Sequence, residues 1–241
     1  MYMEHISKAQ IKRIRSLQQK KFRDEQGLFV AEGDKCVNEL REAFALEVLV
    51  NRENATDQEI AQMSSLRTPQ GTLAVFRQKH YGDEMPQGAV SLVLDGVQDP
   101  GNLGTILRTA DWFSIRDVYC SFQTADCYAP KVVQSTMGAL ARVRVHYVDV
   151  PQWIDLWKTA TPNGNVYGTL LDGKNMYLQE AVPDKKHGLI VMGNEGNGIS
   201  AAVRERITHP ILIPQAETGG GESLNVAIAT AIVLAEFFRR G

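Results

Sequence analysis

The feature of this sequence that most constrains its fold is a series of short apolar runs separated by polar segments of helical length. Runs without polar alternation fit strands covered on both faces, and the segments between them fit the helical crossovers that parallel strands need. We therefore predict an α/β fold with a mostly parallel sheet flanked by helices. The predicted strands contain residues 92–94, 118–119, 143–145, 166–167, 189–192 and 211–213.

The chain before these runs predicts a smaller α/β unit. Ile11, Ile14 and Leu17 recur at helical spacing and indicate a first helix. Further elements alternate between strand and helix. They are strands at 28–31, 47–50 and 72–76 and helices at 35–44 and 57–63.

The stretch between these two parts, from Gln78 to Gly88, has few apolar residues and contains Gly82, Asp83, Glu84, Pro86 and Gly88. We place a domain boundary there, with a first domain at 1–80, a linker at 81–89 and a second domain at 90–241. The last helix, predicted at 223–239, is so apolar that more than one side must be covered, as a dimer interface would do.

The composition excludes several classes of protein. With 44% hydrophobic and 22% charged residues, the chain is expected to be globular. The N-terminal residues lack the apolar core of a signal peptide, and no apolar stretch reaches about 18 residues, so we expect a cytoplasmic protein without a membrane span. The cysteines and histidines lack metal-ligand spacing, so we predict reduced structural thiols and no metal.

The formal net charge of −2 argues against nonspecific binding of nucleic acid over the whole surface. The sequence nevertheless predicts a local basic face near the N-terminus, where seven cations are opposed before Asp24 only by Glu4. These cations are Lys8, Lys12, Arg13, Arg15, Lys20, Lys21 and Arg23.

A polar segment, Asp95 to Ala110, follows the predicted strand at 92–94 and leads into a helix. Ligands of open α/β sheets bind at the carboxyl ends of the strands, so this segment is a site candidate. Asn102 and Arg108 are its candidate functional residues, able to share a helical face only if the helix begins near Asn102. A structural alternative makes Asn102 a helix N-cap and Arg108 a solvated residue.

Two further segments occupy similar positions. The glycine-rich segment from Gly193 to Gly198 follows a strand and leaves backbone N–H groups open to a ligand. Ile213-Pro214 ends the next strand, and Ser223 to Val226 opens the last helix. A simple turn and a helix N-cap at Ser223 are the structural alternatives. They do not explain why all three segments follow predicted strands in this order.

Together the three segments resemble the motifs of the SpoU (TrmH-like) RNA ribose 2′-O-methyltransferases, members of the SPOUT class. They read D-x-x-x-D-P-x-N-x-G-x-x-x-R-T-A, G-N-E-x-x-G and I-P…S-L-N-V. The stretches Lys21 to Gly33 and Thr68 to Val75 resemble the family's L30e-like substrate-binding module. The resemblance implies a C-terminal trefoil knot, a homodimer, and S-adenosylmethionine as cofactor with S-adenosylhomocysteine as product.

The resemblance also implies residue roles. Arg108 is placed at the ribose 2′-hydroxyl, and Asn102 orients Arg108 or the ribose. Because a guanidinium is normally protonated, Arg108 either accepts the proton or binds the adjacent phosphate and steadies the alkoxide. Glu195 has an alternative role as a partner of Arg108, within one chain or across the dimer. The implied catalytic residues are Asn102, Arg108, Glu195, Ser223 and Asn225.

The cofactor residues that the resemblance implies are Gly193, Asn194, Glu195, Gly196, Ile213, Leu224 and Asn225. This chain departs from the family beside them, with Gln215 in place of methionine and an extended loop from Glu217 to Glu222. We expect that loop to be mobile without cofactor.

Ribosomal RNA is the favoured substrate and transfer RNA the alternative. The candidate phosphate contacts are Lys12, Arg13, Arg15, Lys20, Lys21, Arg23 and Lys35, with Arg142 and Arg144 as extensions of the path.

Two other functions compete with this one. The first is an RNA-binding module that keeps the scaffold without activity, which the joint presence of Asn102, Arg108, Glu195 and Asn225 weighs against. The second is a dinucleotide-dependent enzyme, which predicts G-x-G-x-x-G after the first strand of the sheet, where this chain has D-G-V-Q-D-P-G-N.

Overall fold

The computed structural model forms two compact units, which we describe separately. The first unit contains residues 4–80 and Asp126–Arg142, and the second contains Tyr81–Ala125 and 143–239. The segment Asp126–Arg142, which we expected in the second domain, packs in the first unit. The linker expected at 81–89 stays a prediction. The structure describes residues 4–86, 88–178, 180–182, 187–216 and 223–239.

The first unit is built on a three-stranded antiparallel sheet in the order β1-β3-β2. Its strands are β1 (Leu28–Glu32), β2 (Leu46–Val50) and β3 (Leu73–Arg77). Its helices are α1 (Lys8–Ser16), α2 (Lys20–Gln26), α3 (Asp34–Arg41), α4 (Asp57–Met63), α6 (Pro130–Thr136) and a 3₁₀ turn at Ala139–Ala141.

Helix α1 shows why this sequence folds as predicted. Ser7 and Gln10 form a reciprocal capping box that satisfies the first free N–H groups of the helix. Ile11, Ile14 and Leu17 are buried in one core cluster, so the predicted apolar face is confirmed. Helix α2 was not predicted, because apolar residues do not recur at helical spacing in its sequence.

The second unit contains a six-stranded parallel sheet in the order β6-β5-β4-β8-β7-β9. This confirms the predicted α/β fold with a parallel sheet flanked by helices. The strands are β4 (Val90–Asp95), β5 (Asp117–Ser121), β6 (Arg144–Val148), β7 (Asn165–Asn175), β8 (Gly188–Gly193) and β9 (His209–Leu212). The helices are α5 (Pro100–Trp112), α7 (Val150–Ala160), α8 (Ala201–Arg204) and α9 (Val226–Phe237).

Two expected boundaries in this unit were wrong. Strand β7 continues to Asn175, well beyond the predicted residues 166–167, because its second half pairs again with β9 after a register shift. Helix α9 begins at Val226, and its N-cap is Asn225 in place of Ser223. Among the described helices, none is both long and apolar enough to cross a membrane.

Candidate active site

The central strands β4 and β8 are parallel neighbours, so the polar segments that follow them meet at one edge of the sheet. Asp99 caps helix α5 by accepting a hydrogen bond from the Asn102 N–H at 2.8 Å. Asn102 is therefore not the helix N-cap, which removes the structural alternative for it. Its side chain is left to make other contacts.

A chain of hydrogen bonds joins the three motif segments through Asn102. The Asn225 amide donates to Asn102 Oδ1 at 2.9 Å, and Asn102 Nδ2 donates to Glu195 Oε1 at 3.0 Å. Glu195 also accepts from the backbone N–H groups of Gln98 and Asp99, both at 3.2 Å. Because Asn102 donates at one end and accepts at the other, the orientation of its amide is fixed.

These hydrogen bonds also set the charge of Glu195. Burial alone would raise the pKa of its carboxyl, but hydrogen bonds from Asn102 and from backbone N–H groups outweigh burial and hold the pKa below its ordinary value. Glu195 is therefore ionised at neutral pH and serves as the acceptor of this cluster.

The loop after β8 is held by the side chain of Asn194. Its Nδ2 donates to the Gly96 carbonyl at 2.7 Å, and its Oδ1 accepts from the N–H groups of Gly196 and Asn197, both at 2.9 Å. At Gly193 a Cβ atom would overlap the backbone of Gly198. The Asn194 side chain is thus engaged inside the protein, which leaves backbone groups of this loop to face a ligand.

A cavity of about 900 Å³ opens beside this loop, between the middle of β7, the ends of β8 and β9 and the first half of α9. Typical pockets for small ligands occupy about 300–1,000 Å³. The walls combine apolar side chains with backbone polar groups. The cavity is lined by the predicted cofactor residues Gly193, Asn194, Glu195, Gly196, Ile213 and Leu224, together with Ser223. Asn225 is not in the lining, and its amide donates a hydrogen bond to Asn102 instead.

Arg108 stands apart from this cluster. Helix α5 runs without interruption from Pro100, so Asn102 and Arg108 are separated by about 9 Å along the axis and about 120° around it. Arg108 is exposed and makes no hydrogen bond or ion pair with the described residues. Within one chain, Glu195 is therefore not the partner of Arg108.

Comparison with known proteins agrees with the site that this geometry indicates. The profile of the SpoU rRNA methylase family matches residues 89–235, and that of the MRM3-like substrate binding domain matches residues 8–68. The first match spans more than half of the chain. This chain belongs to the SpoU rRNA methylase family.

Several relatives are similar over nearly the full length. The 23S rRNA (guanosine(2553)-2′-O)-methyltransferase RlmP of Bacillus subtilis (strain 168) is 29% identical, with 96% of this chain and 97% of that protein covered. An AdoMet-bound rRNA methyltransferase from Sinorhizobium meliloti is 30% identical, with a TM-score of 0.85 over 98% of this chain and 96% of that one. A protein of the TrmH family from Porphyromonas gingivalis is 37% identical, with a TM-score of 0.85 over 96% of this chain and 98% of that one.

Some residues that line the site of this SpoU family member were not predicted from the sequence. Thr169 and Leu171 of β7 line the cavity, as do Met192, Ala229 and Ile232. The signal was present, since Leu170-Leu171 continues the apolar run of β7. The extended loop from Glu217 to Glu222 lies outside the described residues. Among the residues that the structure does describe, no cluster of His, Cys, Asp or Glu side chains could hold a metal ion.

The predicted RNA contacts in the first unit divide into two groups. Lys12, Arg15 and Lys35 are exposed and form no ion pair with the described residues. Others have acidic or amide partners on the surface: Arg13 with Gln26 and Glu47, Lys20 with Asp24, and Lys21 with Glu25.

The prediction that Arg23 contacts RNA was wrong. It is only 3% exposed, its guanidinium pairs with Asp126 at 2.6 Å, and it donates to the carbonyls of Leu17 and Gln18, both at 2.9 Å. Because these partners occupy its donors in the interior, Arg23 is a structural residue and we remove it from the RNA-binding set.

The two arginines proposed as extensions of the RNA path are also paired. Arg142 pairs with Glu39 in the first unit. In the second unit, Arg144 pairs with the buried Asp117 at 2.6 Å.

Proposed function

We propose that this protein is an S-adenosylmethionine-dependent RNA methyltransferase that acts on a ribose 2′-hydroxyl. The observation that carries the proposal is the hydrogen-bonded chain Asn225–Asn102–Glu195, which joins the three motif segments beside the cavity of about 900 Å³. The RlmP relative, named as a 23S rRNA 2′-O-methyltransferase, and the AdoMet-bound relative support the same reaction.

The residues around the cavity fit S-adenosylmethionine. Backbone groups of Gly193 and Gly196 would bind polar atoms, while Leu171, Leu224 and Ile232 offer apolar area for an adenine ring. The bound cofactor supplies a methyl group that is already activated by its sulfonium, so the reaction needs no metal. What the chain must contribute is the position of the ribose and a proton acceptor or a charge for the oxygen that attacks.

Asn102 is suited to hold the ribose. Its Nδ2 donates one N–H to Glu195 and has a second N–H for a ligand. Its Oδ1 accepts one hydrogen bond from Asn225 and has a second lone pair for a ligand. The amide therefore offers one donor and one acceptor in a fixed direction. A ribose hydroxyl needs this combination because it both donates and accepts hydrogen bonds.

The exposed position of Arg108 on α5 supports the proposal of a homodimer. Thr105, Arg108 and Trp112 lie on one exposed face of α5, and Trp112 is 84% exposed. Helix α9 packs against α5 and exposes Ile228, and Phe238, which follows the helix, is also exposed. An apolar face of this kind favours burial against a second copy. We propose that the dimer carries Arg108 to the site of the other copy, where it binds a phosphate or accepts the hydroxyl proton.

The first unit is proposed to bind RNA, as its match to a substrate binding domain supports. Lys8, Lys12 and Arg15 are exposed at positions i, i+4 and i+7 of α1, so they form one cationic stripe beside its buried face. Such a stripe fits phosphate contacts, which provide affinity without base specificity. We favour ribosomal RNA as substrate and the cytoplasm as location. The trefoil knot stays a prediction.

Mapping of 2′-O-methylated nucleotides in total RNA tests this function. A strain that lacks the gene is expected to lose methylation at a defined nucleotide, and the wild-type gene restores it while an Arg108→Ala copy does not. If every 2′-O-methyl site persists and the purified protein binds no S-adenosylmethionine with or without RNA, the chain is an inactive RNA-binding module.

A further inference from the structure

An exposed aromatic ring lies at the tip of a turn that the proposed mechanism does not use. Strand β5 ends at Ser121, and Phe122 and Gln123 form the tip of the turn that follows. Phe122 is 68% exposed. Turn tips favour Gly, Pro, Asn, Asp and Ser because these residues suit the backbone of a turn and the solvent around it. Phenylalanine serves neither requirement, so its ring needs another explanation.

The turn is firmly anchored. The Thr124 N–H donates to the Ser121 carbonyl at 2.9 Å, and the Thr124 hydroxyl donates to the Leu94 carbonyl at 3.1 Å. The Ser121 hydroxyl accepts from the Gly96 N–H at 2.9 Å. Both hydroxyl residues are buried. Phe122 is therefore presented on a rigid support, so little conformational entropy is lost when a ligand binds its ring.

The same anchors place Phe122 at the edge of the sheet that carries the candidate site. Gly96 belongs to the loop between β4 and α5, the helix of Asn102 and Arg108. Strands β4 and β5 are parallel neighbours, and adjacent strands lie about 4.8 Å apart. The turn and the loop are thus side by side at the carboxyl ends of their strands.

We propose that Phe122 is a base-stacking residue that positions the RNA for methylation, an inference that rests on the proposed function. An aromatic ring offers a flat apolar face to any base, and proteins that bind unpaired RNA use such rings to hold bases outside a helix. At this edge, a stacked base fixes the nucleotide at or beside the target ribose. Phe122 then favours substrates whose bases near the target ribose are unpaired.

The test compares Phe122→Ala, Phe122→Tyr and Phe122→Trp with the wild type on total RNA from a strain that lacks the gene. Loss of one stacked base predicts that kcat/KM for RNA falls by about 5-fold to 100-fold in Phe122→Ala. Phe122→Tyr and Phe122→Trp keep most of the activity because they keep a ring. The affinity for S-adenosylmethionine is unchanged in all three, and RNA quenches the fluorescence of Phe122→Trp more than that of the wild type.

Leu156→Ala is the matched control, because Leu156 is an apolar residue of α7 in the same unit that is 53% exposed. The inference is overturned if Phe122→Ala keeps the wild-type kcat/KM, if Leu156→Ala loses as much, or if Phe122→Ala lowers the dimer fraction in sedimentation, which would make Phe122 a contact between copies. Each of these outcomes leaves an active wild-type enzyme. A wild type that transfers no methyl group removes the proposed function and this inference together.

Discussion

The Glu195→Gln substitution removes the negative charge of Glu195 while it keeps the size and shape of the side chain. Glu195 accepts three hydrogen bonds, from Asn102 and from the backbone of Gln98 and Asp99. Glutamine keeps one oxygen but presents an amide NH₂ group to at least one donor. A hydrogen bond to a charged group contributes about 1.5–3 kcal/mol and a neutral one about 0.5–1.5 kcal/mol, and solvent access favours the lower ends.

We therefore expect Glu195→Gln to lower the free energy of unfolding by about 1–2 kcal/mol. For a chain of this size, that loss corresponds to a fall in Tm of roughly 2–8 °C. Turnover falls by about 10-fold to 100-fold, since the amide of Asn102 loses its fixed orientation. Thermal unfolding by circular dichroism and methyl transfer to RNA measure the two effects.

The pH dependence gives an independent check. The folded state holds the pKa of Glu195 below its ordinary value of 4.5, so the carboxylate stabilises the fold fully above pH 4.5. This contribution is lost as the pH falls through the lowered pKa, and the wild type then approaches Glu195→Gln. The control is Glu205→Gln, since the exposed Glu205 side chain makes no hydrogen bond with the described residues. Equal stability of wild type and Glu195→Gln at pH 7 would refute the reasoning.

Three further predictions concern other parts of the chain. Arg23→Met should lower the free energy of unfolding by about 3 kcal/mol because it leaves Asp126 without its buried partner, whereas a surface role predicts no change in denaturant unfolding. Burial raises the pKa of the Cys36 thiol to about 11, so this thiol should resist Ellman's reagent at pH 8 until the protein is unfolded, and rapid labelling of the native protein would contradict its burial. Trp112→Lys should shift sedimentation towards the monomer while Leu156→Lys does not, and an unchanged dimer would place the interface elsewhere.

The parallel sheet could be predicted because each buried strand leaves an apolar run in the sequence. The position of the site could also be predicted, since Asn102 and Glu195 both belong to polar segments that follow such runs. Their hydrogen bond could not be predicted from spacing, because it joins residues 93 positions apart and depends on the order β4-β8 in the sheet.

Other features depend on contacts that leave no local pattern. In the sequence, Arg23 is one more cation of the basic N-terminal stretch, and only the structure shows that it is buried and paired with Asp126. Ser223 and Asn225 are both good N-cap residues, so the sequence could not choose between them. In the structure, Asn225 caps α9 with its oxygen and donates to Asn102 with its nitrogen.

The measurement that tests the central claim most directly follows the methyl group to its acceptor. RNA from a strain that lacks the gene is incubated with the purified protein and S-adenosylmethionine carrying a deuterated methyl group, and its nucleosides are analysed by mass spectrometry. We predict label in a 2′-O-methylated nucleoside, lost in Arg108→Ala although calorimetry shows nearly unchanged cofactor affinity. Label on a base, no label with the wild type, or wild-type turnover by Arg108→Ala would contradict the account.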